Sequence, residues 1–238
     1  MSKLALITGA SRGIGKAIAH HFAKQGYSLI LIARRENNLK QASDEIREKY
    51  QNTTVFTCAV DFSHPNEVEK TIQAILDEHV TPDVLVNSAG VLYPGNIELP
   101  VTKLNELITI NMTSTITVSN LVAQKMKQQK HGRIYTIGST TGLTPVTKIA
   151  AYSATKAAIV SYCQSLYQEL LPYNIQVCCL CPSVVDTDMT NDGRLNNGDK
   201  IDTQDIVNAI QYIQSLSNAA SSPVLPIHCK VIDLEKIS

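Results

Sequence analysis

The stretch from Leu4 to Ala23 constrains this chain more than any other. Leu4 to Thr8 is a short apolar run that ends in Gly9-Ala10-Ser11-Arg12-Gly13-Ile14-Gly15, after which Ile18, Ala19, Phe22 and Ala23 recur at helical spacing. The order is strand, glycine turn, helix. Glycines at such a turn allow backbone geometry and close approaches that a Cβ forbids, and the helix after it offers unpaired N–H groups and a positive dipole end. Together these suit a pyrophosphate. A tight strand-to-helix connection with no ligand is the other reading of the same residues. The spacing is Gly-x-x-x-Gly-x-Gly, which differs from the Gly-x-Gly-x-x-Gly of the general dinucleotide turn.

The pattern repeats along the chain. Ser28 to Ala33 reads as a buried strand, Glu36 to about Lys49 as a polar amphipathic helix, Thr54 to Val60 as a third strand ending at Asp61, and Pro65 to His79 as a helix with proline in its first turn. Asp83 to Val86 reads as strand four and Gly132 to Ile137 as strand five, with Leu107 to Gln124 between them as a helix despite its Ile, Thr and Val content. Tyr152 to Leu171 and Thr203 to Leu216 read as helices, Gln176 to Leu180 as a strand, and Lys230 to Leu234 as a last edge strand. Alternation of this kind predicts an α/β fold, a doubly wound Rossmann domain with a parallel sheet of about seven strands and helices on both faces. One domain over residues 1–238 is expected, with a substrate loop at about 183–202.

Lysine plus arginine equals aspartate plus glutamate at 21 each, so no global field draws nucleic acid or a membrane surface. The opening apolar run is too short for a signal-peptide core and no stretch approaches about 18 apolar residues, so a soluble, cytoplasmic protein is expected. Cys178 and Cys181 form a C-x-x-C, but on a strand residues three apart face opposite ways and the thiols diverge. The six histidines have no ligand spacing and read as surface or helix-end residues, so no metal is expected.

Ala151 to Lys156, Ala-Tyr-Ser-Ala-Thr-Lys, holds the chemistry. On a helix Tyr152 and Lys156 share a face. A phenol with a pKa of about 10 is a poor proton carrier at neutral pH. A cation about 4 Å away would favour the phenolate by about 4 kcal/mol at an effective dielectric of about 20, which is roughly three pKa units. The pair is sufficient for general acid and base work, and by itself common on solvated helices.

In order along the chain, Thr8-Gly9-x-x-x-Gly13-x-Gly15, Asp61, Asn87-Ser88-Ala89-Gly90, the set Asn111, Ser139, Tyr152 and Lys156, and Pro182 to Met189 resemble the short-chain dehydrogenase/reductase family. The resemblance runs from Lys3 to about Met189. It implies an oxidoreductase that moves a hydride between NADP(H) and a carbonyl or alcohol, of the carbonyl reductase or alcohol dehydrogenase type. A nucleotide-binding regulator without turnover is the alternative. By the same resemblance Tyr152 carries the proton, Lys156 lowers its pKa and holds the nicotinamide ribose, Ser139 orients the substrate oxygen, and Asn111 kinks its helix and positions a water. Cofactor contacts are implied at Gly9, Ser11, Arg12, Gly13, Ile14, Gly15, Arg34, Asp61, Phe62, Asn87, Ala89, Gly90, Pro182, Val185 and Thr187, besides Tyr152 and Lys156.

Three departures stand out. Ser183 follows Pro182 where relatives have glycine, Ser88 replaces the second Asn of Asn-Asn-Ala-Gly, and the chain lacks the Asp-Gly-Gly close of oxoacyl acyl-carrier-protein reductases, which puts a fatty-acid synthesis role in doubt. Ala33 stands at the acidic position that would bind an NAD ribose and Arg34 follows it, with Arg12 as a second cation. NADP(H) is therefore expected; nearby Glu36 keeps NAD(H) as the less favoured alternative. The helix Leu107 to Gln124 has no charge and the helix from Tyr152 to Gln168 has only Lys156, so their outer faces suit burial against another subunit, and a homotetramer or homodimer is expected. A glutamate at Ser161 or Ser119 is expected to break it.

Overall fold

Each apolar run becomes a strand that feeds a helix. The computed structural model describes residues 3–217, 219–235 and 237. β1 (Leu4–Thr8) leads into α1 (Gly13–Lys24), β2 (Ser28–Ala33) into α2 (Glu36–Lys49), and β3 (Val55–Ala59) into α3 (Pro65–Glu78). β4 (Val84–Asn87) precedes α4 (Val101–Ile108), a π-helical turn at Thr109–Ser114 and α5 (Thr115–Gln129), while β5 (Gly132–Ile137) precedes α6 (Ala150–Leu170). β6 (Ile175–Pro182), α7 (Thr203–Ser215), β7 (Val224–Ile227) and α8 (Lys230–Glu235) follow.

All strand pairs are parallel, in the order β3-β2-β1-β4-β5-β6-β7. The order reverses between β1 and β4, the place where a doubly wound sheet opens a crevice beyond its carboxyl ends. Helices cover both faces, so the inner strands are mostly apolar and every residue of β1 is buried. Cys178 and Leu180 pack with α1 and α7 on one face, whereas Cys179 and Cys181 pack with α3, α5 and α6 on the other. The two thiols of the C-x-x-C thus lie in different cores, as strand geometry requires.

Four expectations need correction. The last strand is Val224–Ile227, and Lys230–Glu235 is helical. Pro226 makes the strand look broken in the sequence, yet an edge strand leaves its outer N–H positions without ladder partners and tolerates proline. His21 is buried, 7% exposed, with Nε2 at 3.2 Å from Gln214 Oε1 across the α1–α7 contact. The uncharged helix is part of a longer run from Val101 to Gln129, interrupted by the π turn. Ser119 faces inward with no exposed surface; its hydroxyl donates to Thr115 O at 2.8 Å and accepts from Asn87 Nδ2 at 2.8 Å, so it cannot report on an outer face. Among the described residues no helix is long and apolar enough to cross a membrane.

Candidate active site

The crevice begins at the glycine turn. Gly9 has φ 65°, and a Cβ there would stand 2.8 Å from Ala89 N, so the loop after β4 lies directly on the turn after β1. Thr8 Oγ1 ties the same two loops by accepting from the N–H groups of Ser88 at 3.1 Å and Ala89 at 3.2 Å. Gly13, φ 53°, opens α1, and a Cβ on it would stand 3.1 Å from Thr187 Cγ2. No side chain caps α1; Arg12 holds the N-cap position. A glycine-rich turn packed closely on its neighbours, ending in uncapped helix N–H groups, fits a pyrophosphate. Ser11, Ile14 and Gly15 belong to this turn, and Gly15 is buried.

At the β2–β3 end, Arg34 and Asp61 approach to 3.9 Å. They share a cavity of about 370 Å³ with Ala59, Val60 and three α3 residues, Glu67, Lys70 and Thr71. Burial works against ionisation of Asp61, but the Ser63 N–H at 2.9 Å, the Ser63 hydroxyl and the Arg34 guanidinium outweigh it and hold the carboxyl below its usual value. Arg12 does not join Arg34. It pairs with Asp188 at 2.7 Å, bridging the glycine turn to the segment after β6. The Phe62 side chain lies in the core with its carbonyl accepting from Ser114 Oγ at 2.7 Å, and Asn87 donates to Ser119 Oγ at 2.8 Å and to Thr136 Oγ1 at 3.2 Å.

Beyond β4 and β5 a set of buried polar side chains converges. Asn111 sits in the π turn and is 1% exposed. Its amide donates to Val91 O at 2.9 Å and its carbonyl accepts from Val91 N at 2.9 Å, a two-point clasp on the loop after Gly90. The same amide donates to Thr155 Oγ1 at 3.3 Å, and that hydroxyl donates to Tyr152 O at 2.8 Å. Thr155 thus couples the π turn to α6. Sequence reasoning missed it, and its place one residue before Lys156 was the available signal. A Cβ on Gly90 would stand 3.3 Å from Asn111 Oδ1 and 3.8 Å from Lys156 Nζ, which brings Gly90, Asn111 and Lys156 together.

Ser139 follows β5 and caps the short turn Thr140–Gly142, its oxygen accepting from Thr141 N at 3.2 Å and Thr141 Oγ1 at 3.0 Å. Tyr152, 8% exposed, and Lys156, 6% exposed, lie on the buried side of α6. Burial, rather than the ammonium, governs the phenol. Lys156 Nζ donates to Ile137 O at 2.8 Å and lies 5.7 Å from the centre of the Tyr152 ring. Burial therefore dominates and pushes the phenol up to about 12, opposed by a hydrogen bond from the Ser139 side chain. Burial likewise lowers the Lys156 ammonium. Pro182 ends β6, Val185 is buried, and Thr187 faces Gly13.

Residues 3–198 match the family model described as short chain dehydrogenase. An uncharacterized oxidoreductase of Staphylococcus saprophyticus is 35% identical over 211 residues, 88% of this chain and 90% of its own. A betaketoacyl-[ACP] reductase of Bacteroides thetaiotaomicron has the same fold with a TM-score of 0.85 at 30% identity, covering 98% of this chain and 99% of that one. A variant of the actinorhodin polyketide ketoreductase, solved with NADPH, gives a TM-score of 0.85 at 28% identity over 96% of each chain.

Proposed function

The chain belongs to the short-chain dehydrogenase family, and from that premise we propose that this oxidoreductase is an NADP(H)-dependent carbonyl reductase or alcohol dehydrogenase. The observation that carries the reading is the burial of Asn111, Ser139, Tyr152 and Lys156, each at most 8% exposed, beyond the carboxyl ends of β4 and β5 and beside the glycine turn. Buried polar groups left out of a ladder or a salt bridge are costly, and functional sites are where such groups gather.

When bound, the cofactor supplies or takes up the hydride. The glycine turn and the first N–H groups of α1 would hold its pyrophosphate, and Arg34, half exposed and only loosely paired with Asp61, would be available to a 2'-phosphate. Arg12, exposed in its pair with Asp188, would add a second cation at the turn. Val185, Thr187 and Pro182, which follow or end β6, would line the nicotinamide end. Ser139 Oγ donates to the substrate oxygen as charge develops there. Tyr152 gives its phenolic proton to that oxygen during reduction and withdraws it during oxidation. A phenol kept neutral by burial is already in the protonation state that reduction needs. Lys156, which donates to Ile137 O, would hold a ribose hydroxyl, and Asn111 keeps the Val91 backbone in place.

We also propose self-association through α5 and α6. From Ala154 to Gln168 the exposed residues of α6 (Ala154, Ser161, Gln164, Ser165, Gln168) carry no charge, Glu169 at its end pairs with Lys127, and Tyr162 on α6 donates to Asn120 on α5 at 2.8 Å. The functional test is a panel of aldehydes, ketones, oxoacyl thioesters, steroids and sugars read by NADPH absorbance. Turnover of at least one carbonyl class, with NADPH preferred over NADH, is the expected result; no turnover with tight NADPH binding would favour the regulator.

A further inference from the structure

The segment between β6 and α7 leaves the carboxyl end of β6 and returns beside it, and the return is fastened by groups that no proton or hydride step uses. Val185 pairs with Ile201 in a parallel bridge. Asp186 N–H donates to Ile201 O at 2.8 Å, and Ile201 N–H donates to Val184 O at 2.9 Å. Next to the bridge is a lysine turned inward. The Lys200 side chain is 1% exposed, its ammonium donates to Asn197 Oδ1 at 3.2 Å and lies 3.7 Å from Asp186 Oδ1. Cys229 Sγ closes the far side by donating to Asp199 O at 3.2 Å.

A lysine on so exposed a loop gains nothing from burial itself. Removing an ammonium from water is unfavourable unless a carboxylate and other acceptors replace its hydration, and here Asp186 and Asn197 do so. Asp186 stands between Val185, buried in the core, and Thr187, which faces Gly13 of the glycine turn. Whatever fixes Asp186 fixes both neighbours. We propose that Lys200 is a positioning residue that clasps the base of the 187–200 loop to Asp186 and so sets Val185 and Thr187 against the glycine turn. Its effect on cofactor binding rests on the functional reading above; the clasp itself does not.

The test uses the full chain with Lys200→Met, Lys200→Arg and Asp186→Asn. Digestion by a protease of broad specificity should cut within residues 187–200 about tenfold faster in Lys200→Met and Asp186→Asn, with Lys200→Arg near wild type. NADPH affinity, followed by fluorescence, should fall about fivefold or more in the same two variants, while kcat at saturating cofactor changes by less than about twofold. Digestion and NADPH affinity both unchanged in Asp186→Asn would overturn the clasp, even if Lys200→Met failed to fold. A wild-type chain that does not bind NADPH would sink the functional reading instead, and digestion would then decide the clasp alone.

Discussion

Around the glycine turn the crevice wall is backbone against backbone, whereas around Tyr152 it is made of side chains that bond one another. Gly9 lies on Ala89 with no room for a Cβ, and β1 beneath it is wholly buried. Across the crevice, Asn111, Thr155, Tyr152, Ser139 and Lys156 are placed by hydrogen bonds to Val91, to Thr141, to Ile137 and to each other. The first wall tolerates no added atoms, while the second tolerates no loss of a donor. Steric substitutions should therefore damage cofactor binding, and isosteric chemical ones should damage turnover.

The sharpest separation is Tyr152→Phe, which keeps the ring and removes the proton. Turnover should fall about a hundredfold or more while NADPH affinity stays near wild type. A variant with more than about a tenth of the activity would erase the distinction. Gly9→Val attacks the opposite wall. Its φ of 65° and the contact with Ala89 both oppose a branched side chain, so cofactor affinity should drop by more than about tenfold as measured by calorimetry. Normal affinity in a folded Gly9→Val protein would refute the steric account.

Smaller effects sharpen the comparison. Arg34→Ala removes one charge-assisted partner, of about 1.5 to 3 kcal/mol, so the preference for NADPH over NADH should fall by about tenfold or more. No change would exclude Arg34 from the 2'-phosphate. Ser161→Glu touches neither wall and should leave kinetics per subunit intact while lowering the mass seen by light scattering toward the 26.0 kDa monomer. An unchanged oligomer would move the subunit contact elsewhere. The smallest effect is on stability: burial lowers the pKa of both His20 and His21 on α1 from 6.5, so the folded protein binds fewer protons than the unfolded chain below that point. Their contribution is present above about pH 6.5 and is lost as pH falls through the lowered values, which melting curves on His21→Gln would detect as a flatter acid limb.

What the sequence made legible follows the same division. Backbone requirements leave a signature at fixed spacing, so β1, the turn at Gly9 to Gly15, the parallel sheet and the divergence of Cys178 from Cys181 could all be read from residue order. Side-chain partners leave none. Nothing local says that Lys156 takes Ile137 O, that Arg12 pairs with Asp188 across the mouth, or that Ser119 faces Asn87. Helical spacing brought Tyr152 and Lys156 to one face, but the ammonium's bond to a carbonyl nineteen positions away leaves burial to govern the phenol. The edge strand at Val224–Ile227 was hidden for a different reason, since whether Pro226 breaks a strand depends on whether that strand has a neighbour on both sides.

Proton transfer by a buried, neutral Tyr152 is the centre of the account, and the pH dependence of carbonyl reduction tests it most directly. With the phenol pushed up to about 12, kcat/KM for reduction should stay flat through neutral pH and decline only at strongly alkaline pH, and the residual rate of Tyr152→Phe should lack that decline. An alkaline limb centred near neutrality, or one that survives unchanged in Tyr152→Phe, would contradict it.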